Sequence, residues 1–134
     1  MSTRILSVSY DANLLATRRM LLEMAGYAVT SALGFTEALE HCNGSGFDLF
    51  VLGHSIPTKD KREMIRIFRK NCSAPILSLE RVGESRVESD FHASPDDPER
   101  LLKTVGRILA FNQSASSQQA SAQENTTNLP NDFG

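Results

Sequence analysis

Three side chains with acid, base or ligand chemistry follow three different predicted strands: Asp11, His54 and Glu80. Because the carboxyl ends of parallel strands meet at one edge of a sheet, these groups could converge there and bind a metal ion or assist a hydrolysis. A metal site needs three or four ligands at fitting geometry, however, and this loose trio is all that the sequence offers. We therefore expect no metal ion, no other cofactor and no catalytic residue.

The motifs of common catalytic and nucleotide-binding sites are missing. The chain contains no G-x-S-x-G, no G-x-x-x-x-G-K and no G-x-G-x-x-G segment. Its two cysteines, Cys42 and Cys72, lie far apart and have no histidine cluster near them, so we expect reduced thiols. These absences predict a protein that is not an enzyme.

Composition and charge place the chain among ordinary globular proteins. It has 134 residues, of which 40% are hydrophobic, enough for one domain with its own core. The formal net charge is only -2, so neither a nucleic-acid nor a membrane partner is expected. The N-terminal segment lacks the pattern of a signal peptide, and no apolar run reaches the ~18 residues of a membrane span. These features predict a cytoplasmic protein.

Apolar runs alternate with helical patterns and predict five strands and four helices. Asp11 and Thr36 are predicted N-caps, and Gly26 ends the first helix. Asp97 followed by Pro98 begins the last helix. The predicted strands are 5–8, 27–32, 49–52, 76–79 and 90–93, and the predicted helices are 11–25, 36–41, 59–70 and 97–111.

This alternation predicts an α/β fold in which helices cover both faces of a parallel sheet. The length suits a flavodoxin-like doubly wound domain with five strands in the order 2-1-3-4-5. In such a fold, sites form where the strands end. We name the residues expected at that edge the strand-end pocket: Ser9, Tyr10, Gly53, His54, Glu80 and Ser94.

The composition changes abruptly after Phe111. Residues 112–134 are rich in Gln, Ser, Ala and Asn and nearly free of large apolar side chains. Such a segment buries too little surface to offset the entropy of ordering. We therefore expect one domain at 1–111 and a disordered polar C-terminal tail at 112–134.

Basic residues cluster on the third predicted helix and could form a positive face for a partner. The body of the chain has no excess of positive charge, so the favoured interpretation is the solvated outer face of an amphipathic helix. The cluster consists of Lys61, Arg62, Arg66, Arg69 and Lys70.

Taken together, several segments resemble a response-regulator receiver (CheY-like) domain over residues 4–111. Each segment alone would be weak evidence, but their spacing as a set is specific. The segments are R-I-L-S-V, L-L-E-M-A-G-Y-A-V-T, F-D-L-F-V-L-G-H-S-I-P, A-P-I-L-S-L and F-H-A-S-P-D-D-P-E-R-L-L.

The resemblance implies a phosphorylation site whose five functional groups are all replaced in this chain. In the family, an acceptor aspartate ends the third strand, and Gly53 holds its position. An acid pair that binds Mg²⁺ corresponds to Ser9 and Tyr10. A hydroxyl group corresponds to Glu80, and a lysine corresponds to Ser94. The chain therefore resembles a degenerate pseudo-receiver with no phosphoacceptor.

The segment between Glu80 and Ser94 is too short for a full helix and a strand. The fourth helix of the family is therefore expected to be shortened or missing. The resemblance also implies that the Ser94–Pro95 bond could be cis.

The function implied is that of a stand-alone receiver-like protein of phosphorelay (two-component) signal transduction. It would act by binding a signalling protein without being phosphorylated. The alternative is a small-molecule or metal sensor that uses the emptied space around Tyr10, Gly53 and His54. The sequence leaves the partner's identity and the oligomeric state open.

Overall fold

The computed structural model describes residues 3–42, 46–84 and 86–125. They form five strands and four helices, as predicted. The strands are β1 Arg4–Ser9, β2 Ala28–Leu33, β3 Leu49–Leu52, β4 Ile76–Leu79 and β5 Phe91–Ala93, and the helices are α1 Ala12–Met24, α2 Gly34–Cys42, α3 Thr58–Asn71 and α4 Pro98–Asn125.

The five strands form one parallel sheet in the order β2-β1-β3-β4-β5, which confirms the flavodoxin-like topology. The register aligns the ends of the central strands. Val8 of β1 lies beside Leu52 of β3, and Leu52 lies beside Ser78 of β4. The loops that follow β1, β3 and β4 therefore leave the sheet at one edge, where the strand-end pocket was expected.

The central strands are buried on both faces, as is usual for a parallel sheet covered by helices. Phe50 of β3 stacks on Phe68 of α3 with ring centroids 4.6 Å apart. Both rings are at most 1% exposed, and burying a side chain of this size stabilises the fold by about 1.5–3 kcal/mol. This packing anchors α3 against the sheet.

Two of the three predicted N-caps are confirmed. The Asp11 carboxylate accepts the backbone N–H groups of Asn13 and Leu14 at 2.9 and 3.1 Å. The Asp97 carboxylate likewise accepts the Arg100 N–H at 3.1 Å.

The cap predicted at Thr36 is wrong, because α2 begins two residues earlier, at Gly34. The Glu37 carboxylate reaches back and accepts the Leu33 N–H at 2.8 Å. This hydrogen bond satisfies a backbone donor at the helix start, so Thr36 lies inside the first turn.

The fourth helix of the receiver fold is missing from the described part of the segment between β4 and β5. A turn takes its place, in which Gly83 has a φ of 93°. The Glu84 N–H donates to the Arg81 carbonyl at 3.0 Å, and the Arg81 N–H donates to the Glu84 carboxylate. The Ser94–Pro95 bond is trans, not cis.

The last helix does not end near Phe111 as predicted. It continues to Asn125. No proline or glycine follows Phe111 before Asn125, and Ala and Gln favour helix, so nothing stops propagation. Residues 126–134, the rest of the predicted tail, lie outside the described residues.

The chain divides into two compact units after Thr104, and the sheet lies in the first unit.

Candidate functional site

Hydroxyl groups join the ends of β1 and β3 in the strand-end pocket. Ser9, fully buried, has its Oγ 3.0 Å from the Ser55 Oγ. The Ser55 Oγ also accepts the Tyr10 N–H at 3.0 Å, and the Ser9 Oγ accepts the Asp11 N–H at 3.0 Å. The Ser9 hydroxyl is thus engaged in closing the loops and offers no charge for a cation.

The Tyr10 hydroxyl donates to the Asp60 carboxylate of α3 at 2.8 Å. Burial raises the pKa of Tyr10, and the hydrogen bond and negative charge of Asp60 raise it further. The ring packs against the hydrophobic core. Tyr10 therefore pins the loop after β1 to α3 as a neutral phenol, and its ring is engaged by the protein itself.

The space beside Gly53 is filled by a guanidinium group. The Gly53 N–H donates to the Val8 carbonyl at 2.9 Å, which holds the backbone close to β1. A Cβ atom at Gly53 would lie 3.0 Å from the Arg18 Nη1 and 3.1 Å from the Val8 carbonyl oxygen. A side chain at this position would therefore make the Arg18 guanidinium shift slightly and would press on the Val8 carbonyl of β1.

Arg18 lies on α1 and was not predicted as a pocket residue. It is 5% exposed, and its Nη1 has no hydrogen-bond partner among the described residues. Burial lowers the pKa of Arg18 because the charged form loses its hydration. The signal was present in the sequence, since Leu15, Arg18 and Leu22 share the helical spacing of the buried stripe.

His54 directly follows Gly53 in the loop after β3. Its Nδ1 is buried and has no hydrogen-bond partner among the described residues. Burial lowers the pKa of His54, and the positive charge of Arg81 lowers it further, against the opposing effect of Glu84. The imidazole is therefore neutral near pH 7.

Glu80 is held as a carboxylate at the end of β4, and its side chain is 7% exposed. Its Oε2 accepts the Ser78 hydroxyl at 3.0 Å and the Val87 N–H at 3.3 Å, and its Oε1 lies 3.0 Å from the His92 Nδ1. Burial acts to raise the pKa of Glu80, but these hydrogen bonds together lower it. A fixed negative charge thus lies at the end of β4.

Lys61 extends this network and was also missed. Its ammonium group donates to the Ser78 hydroxyl at 3.0 Å and to the Leu79 carbonyl at 3.1 Å. The residue is 4% exposed, and burial lowers the pKa of Lys61, against the opposing charge of Glu80. Lys61 belongs to the buried stripe of α3 with Ile65, so it is not part of the predicted outer basic face.

The six predicted residues fall into two groups. The first group lies at the ends of β1 and β3, with Arg18 beside Gly53, and consists of Ser9, Tyr10, Gly53 and His54. The second group, Glu80 and Ser94, lines a cavity of about 370 Å³ at the ends of β4 and β5. His92 also lines this cavity. Ser94 is exposed, and its hydroxyl accepts the Asp96 N–H at 3.2 Å.

The trio of Asp11, His54 and Glu80 does not form one centre. The Asp11 carboxylate caps α1, and the Glu80 carboxylate binds His92. Among the described residues, no three His, Cys, Asp or Glu side chains are grouped so that they could hold a metal ion.

None of the described helices is long and apolar enough to cross a membrane.

Comparison with known proteins identifies relatives among response regulators. No protein-family model matches the chain. The transcriptional regulatory protein ResD of Bacillus subtilis is 34% identical over 115 residues, which are 80% of this chain and 48% of ResD. The chain thus spans about half the length of this curated relative.

Solved structures of receiver domains share the fold. A CheY-like receiver domain from Methylobacillus flagellatus has a TM-score of 0.70 and 19% identity, over 81% of this chain and 99% of that one. A two-component response regulator from Clostridium difficile has a TM-score of 0.72 and 21% identity, over 81% and 97%. The chain is therefore a response-regulator receiver-like domain with the CheY-like fold, as its sequence predicted.

Proposed function

We propose that this chain is a receiver-like module of two-component signalling that acts by binding a protein partner and is not phosphorylated on aspartate. The observation that carries the proposal is the Arg18 guanidinium beside Gly53. In a phosphorylatable receiver, that position supplies the nucleophilic carboxylate. Here it supplies no side chain, and a buried cation fills the adjoining space.

The surrounding groups support the same conclusion. Mg²⁺ requires oxygen ligands, usually carboxylates, and demands near-ideal geometry. Ser9 and Tyr10 are neutral, and their oxygens are hydrogen-bonded to Ser55 and Asp60. The Glu80 carboxylate would repel an incoming phosphoryl group instead of donating a hydrogen bond to it.

The sensor alternative receives less support from the same geometry. It required free space around Tyr10, Gly53 and His54. The ring of Tyr10 packs on the core, and Arg18 fills the space at Gly53. We therefore favour a function in which the surface of this chain binds a protein partner. We also propose that the chain has no enzymatic activity.

Intact-mass spectrometry after incubation with acetyl phosphate and Mg²⁺ tests the proposal. We expect no phosphoryl adduct on the unchanged chain, while a phosphorylatable receiver treated in parallel gains one. The Gly53→Asp variant should also stay unmodified, because its carboxylate would meet Arg18 and the acid pair is still missing. A stoichiometric adduct on the unchanged chain would refute phosphorylation independence.

A further inference from the structure

A groove lies beside α3, and Arg86 is the residue that it shares with the cavity around Glu80. The volume of the groove is about 660 Å³. Part of the lining comes from the segment between β4 and β5, where the described residues form no helix. The lining residues are Arg62, Ile65, Arg66, Arg69, Arg86 and Glu88.

The side chains that line the groove are mostly positive, whereas the net charge of the whole chain is negative. Four arginines and one glutamate line it, which is a formal charge of +3, whereas the whole chain carries -2. Three of these arginines pair with carboxylates outside the lining: Arg66 with Glu63, Arg69 with Asp90 and Arg86 with Glu80. Positive charge concentrated in a concave surface attracts an anionic partner and accelerates its association. The net negative charge of the chain disfavours a nucleic acid, whose repeated phosphates reward an overall basic protein.

The arginines of the groove can exchange their present ion-pair partners for the carboxylates of another protein. Arg66 pairs with Glu63, and Arg69 pairs with Asp90, but both arginines are about half exposed. Surface pairs of this kind contribute little to stability, so a partner's carboxylate can replace the internal one at little cost. Arg62 forms no ion pair with the described residues.

The spacing of the arginines defines the shape of the partner. Arg62, Arg66 and Arg69 follow one another by four and three residues, or about 6 and 4.5 Å along the axis of α3. Acidic side chains at every third or fourth position of a partner helix repeat at the same distances. Arginine also binds carboxylates through two parallel hydrogen bonds, which lysine does not do.

We propose that this groove docks an acidic helix of the protein partner, with carboxylates on one face at every third or fourth position. The proposal rests on the proposed function and names the surface through which it is performed. The occupant is a protein segment because its charge complements the groove and its repeat matches the spacing of the arginines.

Two-dimensional ¹H–¹⁵N NMR of the full chain tests the proposal directly. The probe is a capped 15-residue helical peptide that carries glutamate at every third or fourth position of one face. We expect saturable shift changes at residues 62–69 and 86–88, and none with a matched peptide in which glutamine replaces glutamate. No change at millimolar peptide, or changes spread evenly over other basic surfaces, would overturn the proposal. So would tighter binding of an oligothymidylate to the same residues.

A pair of charge-reversal variants provides the matched control. Arg66→Glu should weaken peptide binding about tenfold or more, because it puts repulsion inside the groove. Arg19→Glu makes the same change on α1, where Arg19 is half exposed and paired with Glu23, and should leave binding within about twofold. An equal loss in both variants would show general charge attraction and refute a specific site.

The two proposals fail separately. A phosphoryl adduct in the acetyl phosphate experiment would refute phosphorylation independence whatever the peptide does. Absence of peptide binding without an adduct would refute the groove and leave phosphorylation independence standing.

Discussion

Replacing Arg18 with methionine should stabilise the protein, although it removes a buried side chain that fills space. The Arg18 side chain is 5% exposed, and its Nη1 has no hydrogen-bond partner among the described residues. A buried donor without a partner costs about 1–3 kcal/mol, and more when it carries charge. Methionine keeps the apolar stem that packs between α1 and the sheet and removes the desolvated group.

We expect the free energy of unfolding to rise by about 1–2 kcal/mol, since some packing beside Gly53 is lost with the guanidinium. For a domain of this size, the melting temperature should rise by roughly 3–6 °C per kcal/mol. Urea unfolding followed by circular dichroism measures the free energy, and calorimetry measures the temperature.

The control is Arg19→Met, one residue away on the exposed side of α1. Arg19 forms a surface ion pair with Glu23, so its loss should change stability by no more than about 0.5 kcal/mol. If Arg18→Met instead destabilises the protein by more than 1 kcal/mol relative to this control, the guanidinium is well satisfied. That result would contradict an unsatisfied Arg18 guanidinium beside Gly53.

Two further predictions follow from the pocket. Glu80→Gln should lower stability by about 1–3 kcal/mol at pH 7, because Glu80 accepts hydrogen bonds from Ser78 and Val87. Because the pKa of Glu80 is lowered, this stabilisation is present above the ordinary value of 4.5 and is lost as the pH falls through the folded-state pKa. The stabilities of the variant and the unchanged protein should therefore converge in acid. A stability difference that persists unchanged at pH 2.5 would contradict this assignment. Mg²⁺ should not raise the melting temperature more than Na⁺ at equal ionic strength, because Ser9 and Tyr10 offer no carboxylate; a saturable rise would reveal a site.

Local chemistry allowed the sequence to predict most of the elements. The strands 49–52 and 76–79 were placed correctly because each is a short apolar run bounded by a charged residue or a proline. Asp11 and Asp97 cap their helices through hydrogen bonds to residues within one turn, so no distant part of the chain is needed. Topology followed from the alternation of elements and the preference for right-handed crossovers.

The end of the last helix could not be predicted in this way. Residues 112–125 have the polar composition of a disordered segment, yet they also lack a helix-stopping residue. Composition argues from what a segment can bury, whereas helix propagation depends on what precedes it. Composition and helix propagation therefore lead to different predictions for residues 112–125.

The sequence alone determined the fold, because the alternation of strands and helices depends on residue types at known positions. It also predicts, through the resemblance, that the five phosphorylation groups are replaced. The tertiary structure decided which charged side chains lie buried beside those positions, although the spacing of Arg18 already matched the buried face of α1. Arg18 and Lys61 are charged, and charge normally predicts a solvated position. Their burial depends on the space left by Gly53 and on acceptors contributed by β4, distant parts of the chain that only folding brings together.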